Sequence, residues 1–318
     1  MSTLVNESWS GCQAAGNSAL ADEQRSVPVI DALSRLVSEL ENEPSLVQPD
    51  QLRRRFEALD LLDAFFSYVP EVASSVESRL YRRARAACAR LEAANCEFYE
   101  AVRTEIRRGS RSDSLLQCGF PSLGIERESG PSSCLGYDYV DELISGIFQF
   151  EEPDDGNLPR DSEKLFYQPT PARHIFTLMA MTSLTAIDVF VDLGSGLGHV
   201  PLLVSICTNA RSIGIELEST YVECARQCAD SLNLKKVTFL REDAQIADLS
   251  NGTVFYLYTP FMGSILNTVL RRLRREAATR RIRICSYGPS TSVIANESWL
   301  EAATEPDAHR ITVFCSRD

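Results

Sequence analysis

Between Val189 and Val200 the chain reads VFVDLGSGLGHV, and no other stretch restricts its fold as much. An apolar, β-branched run ends on Asp192, and glycines at alternate positions (Gly194, Gly196, Gly198) then open a helical pattern. Glycine lacks a Cβ and tolerates positive φ, so such a loop can bring its backbone close around a nucleotide-like ligand. Asp192 can accept hydrogen bonds from that ligand or from the loop amides, and Ser195 sits between the first two glycines. Dinucleotide-binding loops space their glycines G-x-G-x-x-G and seat the pyrophosphate on the next helix N-terminus. Here the spacing is G-x-G-x-G, an acid precedes the first glycine, and His199-Val200 stand where a later glycine would fall. The bland alternative is a glycine-rich turn that binds nothing, and the supporting residues downstream weigh against it.

Leu202 to Cys207 continues as a short apolar helix, and Ser212 to Glu216 reads as a second strand ending on an acid. Doubly wound folds place a ribose-binding carboxylate about 20 residues past the glycine loop, which selects Glu216. Glu218, at the start of the next helix, reads as a charge favourable to that helix's dipole. Tyr221 to Leu232 is amphipathic, and Lys236 to Leu240 forms a third strand followed by Arg241-Glu242-Asp243-Ala244. A fourth strand, Thr253 to Leu257, runs into Tyr258-Thr259-Pro260-Phe261-Met262-Gly263, and a fifth lies near 281–287. This alternation of strands and helices predicts an α/β fold on a mostly parallel sheet. A last strand, Arg310 to Cys315, is expected antiparallel at the sheet edge or beside strand five, closing a short hairpin after Gly288.

Upstream, Pro169 and Pro171 bracket Thr170, which can cap a helix beginning near Pro171. Tyr167 and Gln168 then lie on a rigid extended arm that leads into this helix and the first strand.

From Phe166 onward the chain resembles the class I S-adenosylmethionine-dependent methyltransferases. The resemblance rests on Val191-Asp192-Leu193-Gly194-Ser195-Gly196-Leu197-Gly198, on Gly214-Ile215-Glu216, and on the order of strands and acids. The arm Tyr167-Gln168-Pro169-Thr170 and the aromatic strand-four loop add to it. Within the class the chain is most similar to the branch of the DOT1-like lysine methyltransferases and related bacterial proteins, although its strand-four loop departs from that family's Asn-containing one. The resemblance implies a Rossmann-like sheet with an antiparallel last strand and S-adenosylmethionine as cofactor. It implies that Asp192, Gly194, Ser195, Gly196 and Gly198 cradle the cofactor. Glu216 would hold the ribose, Asp243 would meet the adenine amino group, and Tyr167, Gln168 and Thr170 would fold over as a lid. A turn acid accounts for Asp243 equally well, and a capped turn does the same for each lid residue taken singly.

In the same enzymes the strand-four loop holds the nucleophile, which implies contact with the acceptor for Tyr258, Pro260 and Phe261. Enzymes that methylate amides or exocyclic amines carry Asn/Asp-Pro-Pro-aromatic here, whereas this chain has Tyr258 in the first slot and a single proline. That departure points away from nucleobase and glutamine acceptors. An aromatic collar suits a desolvated amine and attracts a sulfonium charge. Phe261 and Met262 can also be read as the start of the next helix's apolar face. The activity implied is in-line methyl transfer, to a protein lysine amine or to a small-molecule nitrogen or oxygen. The contrasting possibility is a non-catalytic cofactor-binding protein that engages a partner.

A net charge of −12 argues against a surface that tracks phosphates, since non-specific nucleic-acid affinity needs many cationic contacts. Arg271-Arg272, Arg274-Arg275 and Arg280-Arg281 form a local exception, readable either as a steering patch or as solvated helix arginines. No signal-like or membrane-length apolar run is present, and the ten cysteines form no C-x-x-C pair. A cytoplasmic protein with reduced thiols is expected. Cys224 and Cys228 share a helix face without a matching second pair, so buried thiols are favoured over a metal site. His199 can touch ligand or pack, and His174 and His309 carry no functional signal.

Residues 1–25 read as disordered, 26–109 as a helical region, 110–160 as a linker with a covering helix, and 161–318 as the cofactor-binding domain. Apolar stripes mark helices from Ile30 to Leu40, from Leu52 to Phe66, and from Val72 to Ile106, the last closed by Gly109. A further helix is expected between Tyr137 and Phe150, followed by an acidic loop from Glu151 to Asp155. The N-terminal helices could self-associate, bind a partner or cap the catalytic part.

Overall fold

The computed structural model describes residues 29–66, 75–109, 115–117, 138–150, 168–258 and 262–317. The expected disordered N-terminus and the acidic loop lie outside these residues, as does most of the linker. The chain divides into two compact units, residues 1–98 and 99–318.

In the first unit, α1 (29–41) is followed by two 3-10 turns, Pro44–Val47 and Pro49–Gln51, each begun by a proline at a first-turn position. Next come α2 (Leu52–Phe66) and the first part of α3 (Ser75–Arg107). Their apolar stripes meet in a core of Leu33, Val37, Leu40, Leu46, Ala58, Leu62, Ala84 and Leu91. Arg55 is fully buried in this unit. It donates to the Asn95 side chain at 2.6 Å and to the Leu46 carbonyl at 2.9 Å, so the turn ahead of α2 is tied to α3.

The second unit holds the last turns of α3, then α4 (Tyr139–Phe148), α5 (Ala172–Thr182), β1 (Val189–Leu193), α6 (His199–Cys207), β2 (Arg211–Glu216) and α7 (Ser219–Ser231). It continues through β3 (Val237–Arg241), β4 (Val254–Tyr258), α8 (Gly263–Ala277), β5 (Arg283–Tyr287), α9 (Ser290–Ala295), β6 (Leu300–Ala302) and β7 (Thr312–Ser316). The sheet order is β3-β2-β1-β4-β5-β7-β6. Neighbours are parallel except at β7, which runs antiparallel to both β5 and β6. The expected last strand therefore lies beside β5, and the three-residue β6 takes the edge. All five residues of β1 are buried, as befits a central strand covered on both faces. The apolar core on one side of the sheet joins Val191, Ile215, Phe255, Leu257, Leu270, Leu273, Ile284 and Phe314.

Arg103 and Arg107, at the end of α3, donate to the carbonyls of Ile147 and Ser231 and fasten that end of the helix to α4 and α7. Gly109 follows with positive φ, as the C′ position requires. Thr170 does not cap α5, contrary to its sequence-based expectation. The N-cap is Pro171, which makes no side-chain cap bond, and the free amide of Ala172 instead donates to the Asp141 carboxylate at 2.7 Å. Among the described residues no helix is long and apolar enough to cross a membrane.

Candidate active site

β1 pairs with β2 on one side and β4 on the other, so the chain reverses its winding direction at β1. Ligands of open α/β sheets bind at such a switch point, beyond the carboxyl ends of the strands. The glycine loop is there. Gly194, Gly196 and Gly198 all have positive φ, the conformation their spacing predicted. The amides of Gly194 and Ser195 donate to the Ile215 carbonyl at 2.8 and 3.1 Å, which binds the loop to the end of β2. The Gly196 amide donates to the Glu216 carboxylate at 2.9 Å, and its other oxygen accepts from Leu217 and Glu218 at 2.7 and 2.9 Å. Glu216 thus closes the cradle while its carboxylate, with about four acceptor positions, keeps capacity for a further donor. Gly214, opposite Asp192 in the β1–β2 register, lets the loop approach, because a Cβ there would lie 2.7 Å from the Ser195 hydroxyl.

Asp192 is only 4 % exposed. Burial, and then the neighbouring Glu216 charge, push its carboxyl well above the usual range. The Ser195 hydroxyl is buried without a hydrogen-bond partner. Two acids and an unpartnered hydroxyl suit a ligand that brings positive charge and donors, and a pyrophosphate would meet repulsion. S-adenosylmethionine carries a sulfonium and an α-ammonium group, and either beside Asp192 would favour its charged form. The residues present fit that group.

Around the cradle the sequence-predicted residues divide. Thr170 is buried, and its hydroxyl pairs with the Tyr256 hydroxyl on β4 at 3.0 Å, which anchors the arm over the sheet. Gln168 is exposed, and Tyr167, Pro260 and Phe261 lie outside the described residues. Asp243 lies just past the end of β3 and accepts from the amide and side chain of Gln245 at 2.8 and 3.1 Å. In this structure it therefore shapes a turn. Tyr258 ends β4 in register with Tyr287 of β5, and their rings lie 4.9 Å apart.

Some residues near the site carried no signal in the sequence. Leu217 and Ile246 follow the acids of β2 and β3 and leave apolar side chains 54 % and 79 % exposed. Leu217 stands next to Glu216, and Ile246 lies three residues past Asp243. His174 stacks on Tyr287, a contact that links distant parts of the chain and leaves no local pattern. His199, by contrast, packs against Phe148 and Phe150, and burial brings it down to about 4. Two of the clustered arginines are structural. Arg272 donates to the carbonyls of Ala244 and Ala247, and Arg280 to those of Leu249 and Gly252, which pins the loop between β3 and β4. No cluster of metal-binding side chains occurs among the described residues.

The strand order and the glycine cradle at the β1 switch point define the fold of a class I S-adenosylmethionine-dependent methyltransferase. Within that class, residues 163–247 match the model of the family described as histone methylation protein DOT1. No curated protein sequence matches the chain. Solved structures similar to it include an RNA methyltransferase from Salinibacter ruber in complex with S-adenosyl-L-homocysteine. It is 25% identical at a TM-score of 0.38, over 47% of this chain and 92% of that one. Magnesium protoporphyrin IX methyltransferase from Synechocystis PCC 6803, with bound S-adenosylmethionine, is 13% identical at 0.34, over 45% and 76%. A SAM-dependent methyltransferase from Aquifex aeolicus is 16% identical at 0.36, over 44% and 88%.

Proposed function

We propose that this chain methylates an amine nitrogen, with a protein lysine side chain as its acceptor. The observation that carries the reading is the cradle itself: amide-lined, closed by Glu216, and set against the buried acid Asp192. Bound there, S-adenosylmethionine supplies an activated methyl group for in-line displacement. The loop and the two acids would fix its orientation, and holding reactants in line is worth a large part of such a barrier. The Thr170–Tyr256 pair would keep the arm over the bound molecule and exclude water. The amine must be neutral to attack, and a half-buried aromatic wall of Tyr258 and Tyr287 would favour that form by partial desolvation. The match of residues 163–247 to a family described as histone methylation protein DOT1 supports a protein acceptor, and lysine is the protein side chain that carries a primary amine.

The test is incubation of the full chain with tritiated S-adenosylmethionine and a cell lysate, followed by size fractionation and amino-acid analysis. Label is expected in protein, as methylated lysine. In parallel, calorimetry on Glu216→Ala should show cofactor affinity reduced about 10- to 100-fold, equivalent to roughly 1.4–2.8 kcal/mol. Label confined to RNA or to small molecules would replace the acceptor, and binding without transfer to any fraction would replace the enzyme by a cofactor-sensing protein.

A further inference from the structure

At the carboxyl ends of β4 and β5 three rings stand in a row. Tyr258 lies 4.9 Å from Tyr287 at an interplanar angle of 31°, and Tyr287 lies 4.3 Å from the His174 imidazole at 34°. His174 comes from the first turn of α5, just past the Thr170 that is anchored to Tyr256. Its Nε2 is shielded from water and has no hydrogen-bond partner. Buried polar atoms in native folds are almost always paired, so an orphan of this kind marks a place for a water or a ligand group.

The charges around the imidazole are one-sided. Burial, and then the positive charge of Arg173, bring His174 down to about 4, so the ring is uncharged at neutral pH. No carboxylate contributes to that shift, so His174 is no half of an acid–imidazole dyad. Arg173 also acts on Tyr287, pulling its hydroxyl down against the stronger upward push of burial. An amine docked beside these groups would feel the same positive field, which favours the neutral form over the ammonium.

We propose that His174 contacts the methyl acceptor: with its proton on Nδ1, it receives through Nε2 an N–H hydrogen bond from the amine to be methylated, while Tyr287 and Tyr258 wall the channel. The proposal rests on the methyl-transfer reading of the same site. In the step it serves, the amine lone pair forms the new C–N bond as the methyl C–S bond breaks, and that electron pair stays on sulfur. The product leaves as a methylated ammonium and sheds its extra proton to water. His174 gains no proton, and its part is to aim the lone pair.

His174→Phe keeps a ring against Tyr287 and deletes Nε2, while His174→Gln returns an acceptor atom. Two measurements on the full chain separate the alternatives. The first is turnover with tritiated S-adenosylmethionine and poly-L-lysine, alongside cofactor affinity by calorimetry. His174→Phe is expected to lower kcat by about 10-fold or more with cofactor affinity unchanged within about twofold, and His174→Gln to recover part of the loss. The second is the ¹⁵N resonance of His174 in protein saturated with S-adenosylhomocysteine and titrated with n-butylamine at alkaline pH. The Nε2 signal should move while those of His199 stay in place. The proposal is overturned if His174→Phe keeps wild-type turnover, if cofactor affinity falls along with it, or if saturating amine leaves Nε2 unmoved. Should the wild type transfer no methyl to poly-L-lysine, lysine methylation fails as a function. The amine titration then decides on His174 alone.

Discussion

At Gly214 the missing side chain matters more than most that are present. A Cβ there would lie 2.6 Å from the buried Phe239 ring and 2.7 Å from the Ser195 hydroxyl. Phe239 is itself held against Gly198, where a Cβ would fall 2.5 Å away. Gly214→Ala should therefore cost about 1–3 kcal/mol of stability by overpacking and lift the loop off β2. The urea midpoint is expected to drop, with a loss of cofactor affinity in calorimetry, and an unchanged affinity would separate the cradle from this contact. The spacing of Gly194, Gly196 and Gly198 was enough to place the loop because a backbone conformation depends on local residues. The reason for glycine at 214 was not legible, because it lies in an aromatic ring from the next strand. Thr170 failed its expected capping role for a similar reason: Tyr256, a partner remote in sequence, competes for its hydroxyl.

The elements that frame the cradle are tied together by one acid. Asp141, in the first turn of α4, accepts from the Asp138 amide at 2.7 Å to complete a capping box and from the first amide of α5 at 2.7 Å. Burial raises its carboxyl to about 6 in spite of those donors. A carboxyl whose folded pKa lies above its unfolded value adds stability where it is protonated in the fold. That contribution is full below about pH 4 and is lost as pH rises through about 6. Compared with Asp141→Asn, the wild type should lose denaturant midpoint between pH 5 and pH 7, a window centred on the folded carboxyl's pKa of about 6. Parallel profiles for the two proteins would remove Asp141 as the source. Periodicity exposed the long elements well, since β1 and β4 are largely buried apolar runs and α3 carries a sustained stripe. It missed β6 and α9, which are three and six residues long and too short to show a period. The loop-pinning roles of Arg272 and Arg280 were hidden by their own composition, because a charge run looks the same in solvent as on a row of carbonyls.

Each of the two units has its own core. Residues 1–98 close around Leu33, Val37, Leu62 and Leu91, while the sheet of residues 99–318 closes around Val191, Phe255 and Ile284. The cradle, its acids and the ring row all belong to the second unit, so cofactor binding stabilises that unit directly. Ligand at a hundred times its dissociation constant adds about 2.7 kcal/mol to whatever unfolds as one body with the site. Hydrogen exchange read by mass spectrometry, with and without saturating S-adenosylmethionine, measures how far that body extends. The slowest amides of β1, β2 and β4 should slow by about 100-fold, the equivalent of that free energy. Amides of α1 and α2 should exchange as before, because their protection comes from a core that the ligand does not touch. Equal slowing in both units would mean that the chain unfolds as a single body, with the helical unit stabilised through the fold of the sheet. In that event substitutions at Arg55 should weaken cofactor binding, whereas independent units leave it unchanged.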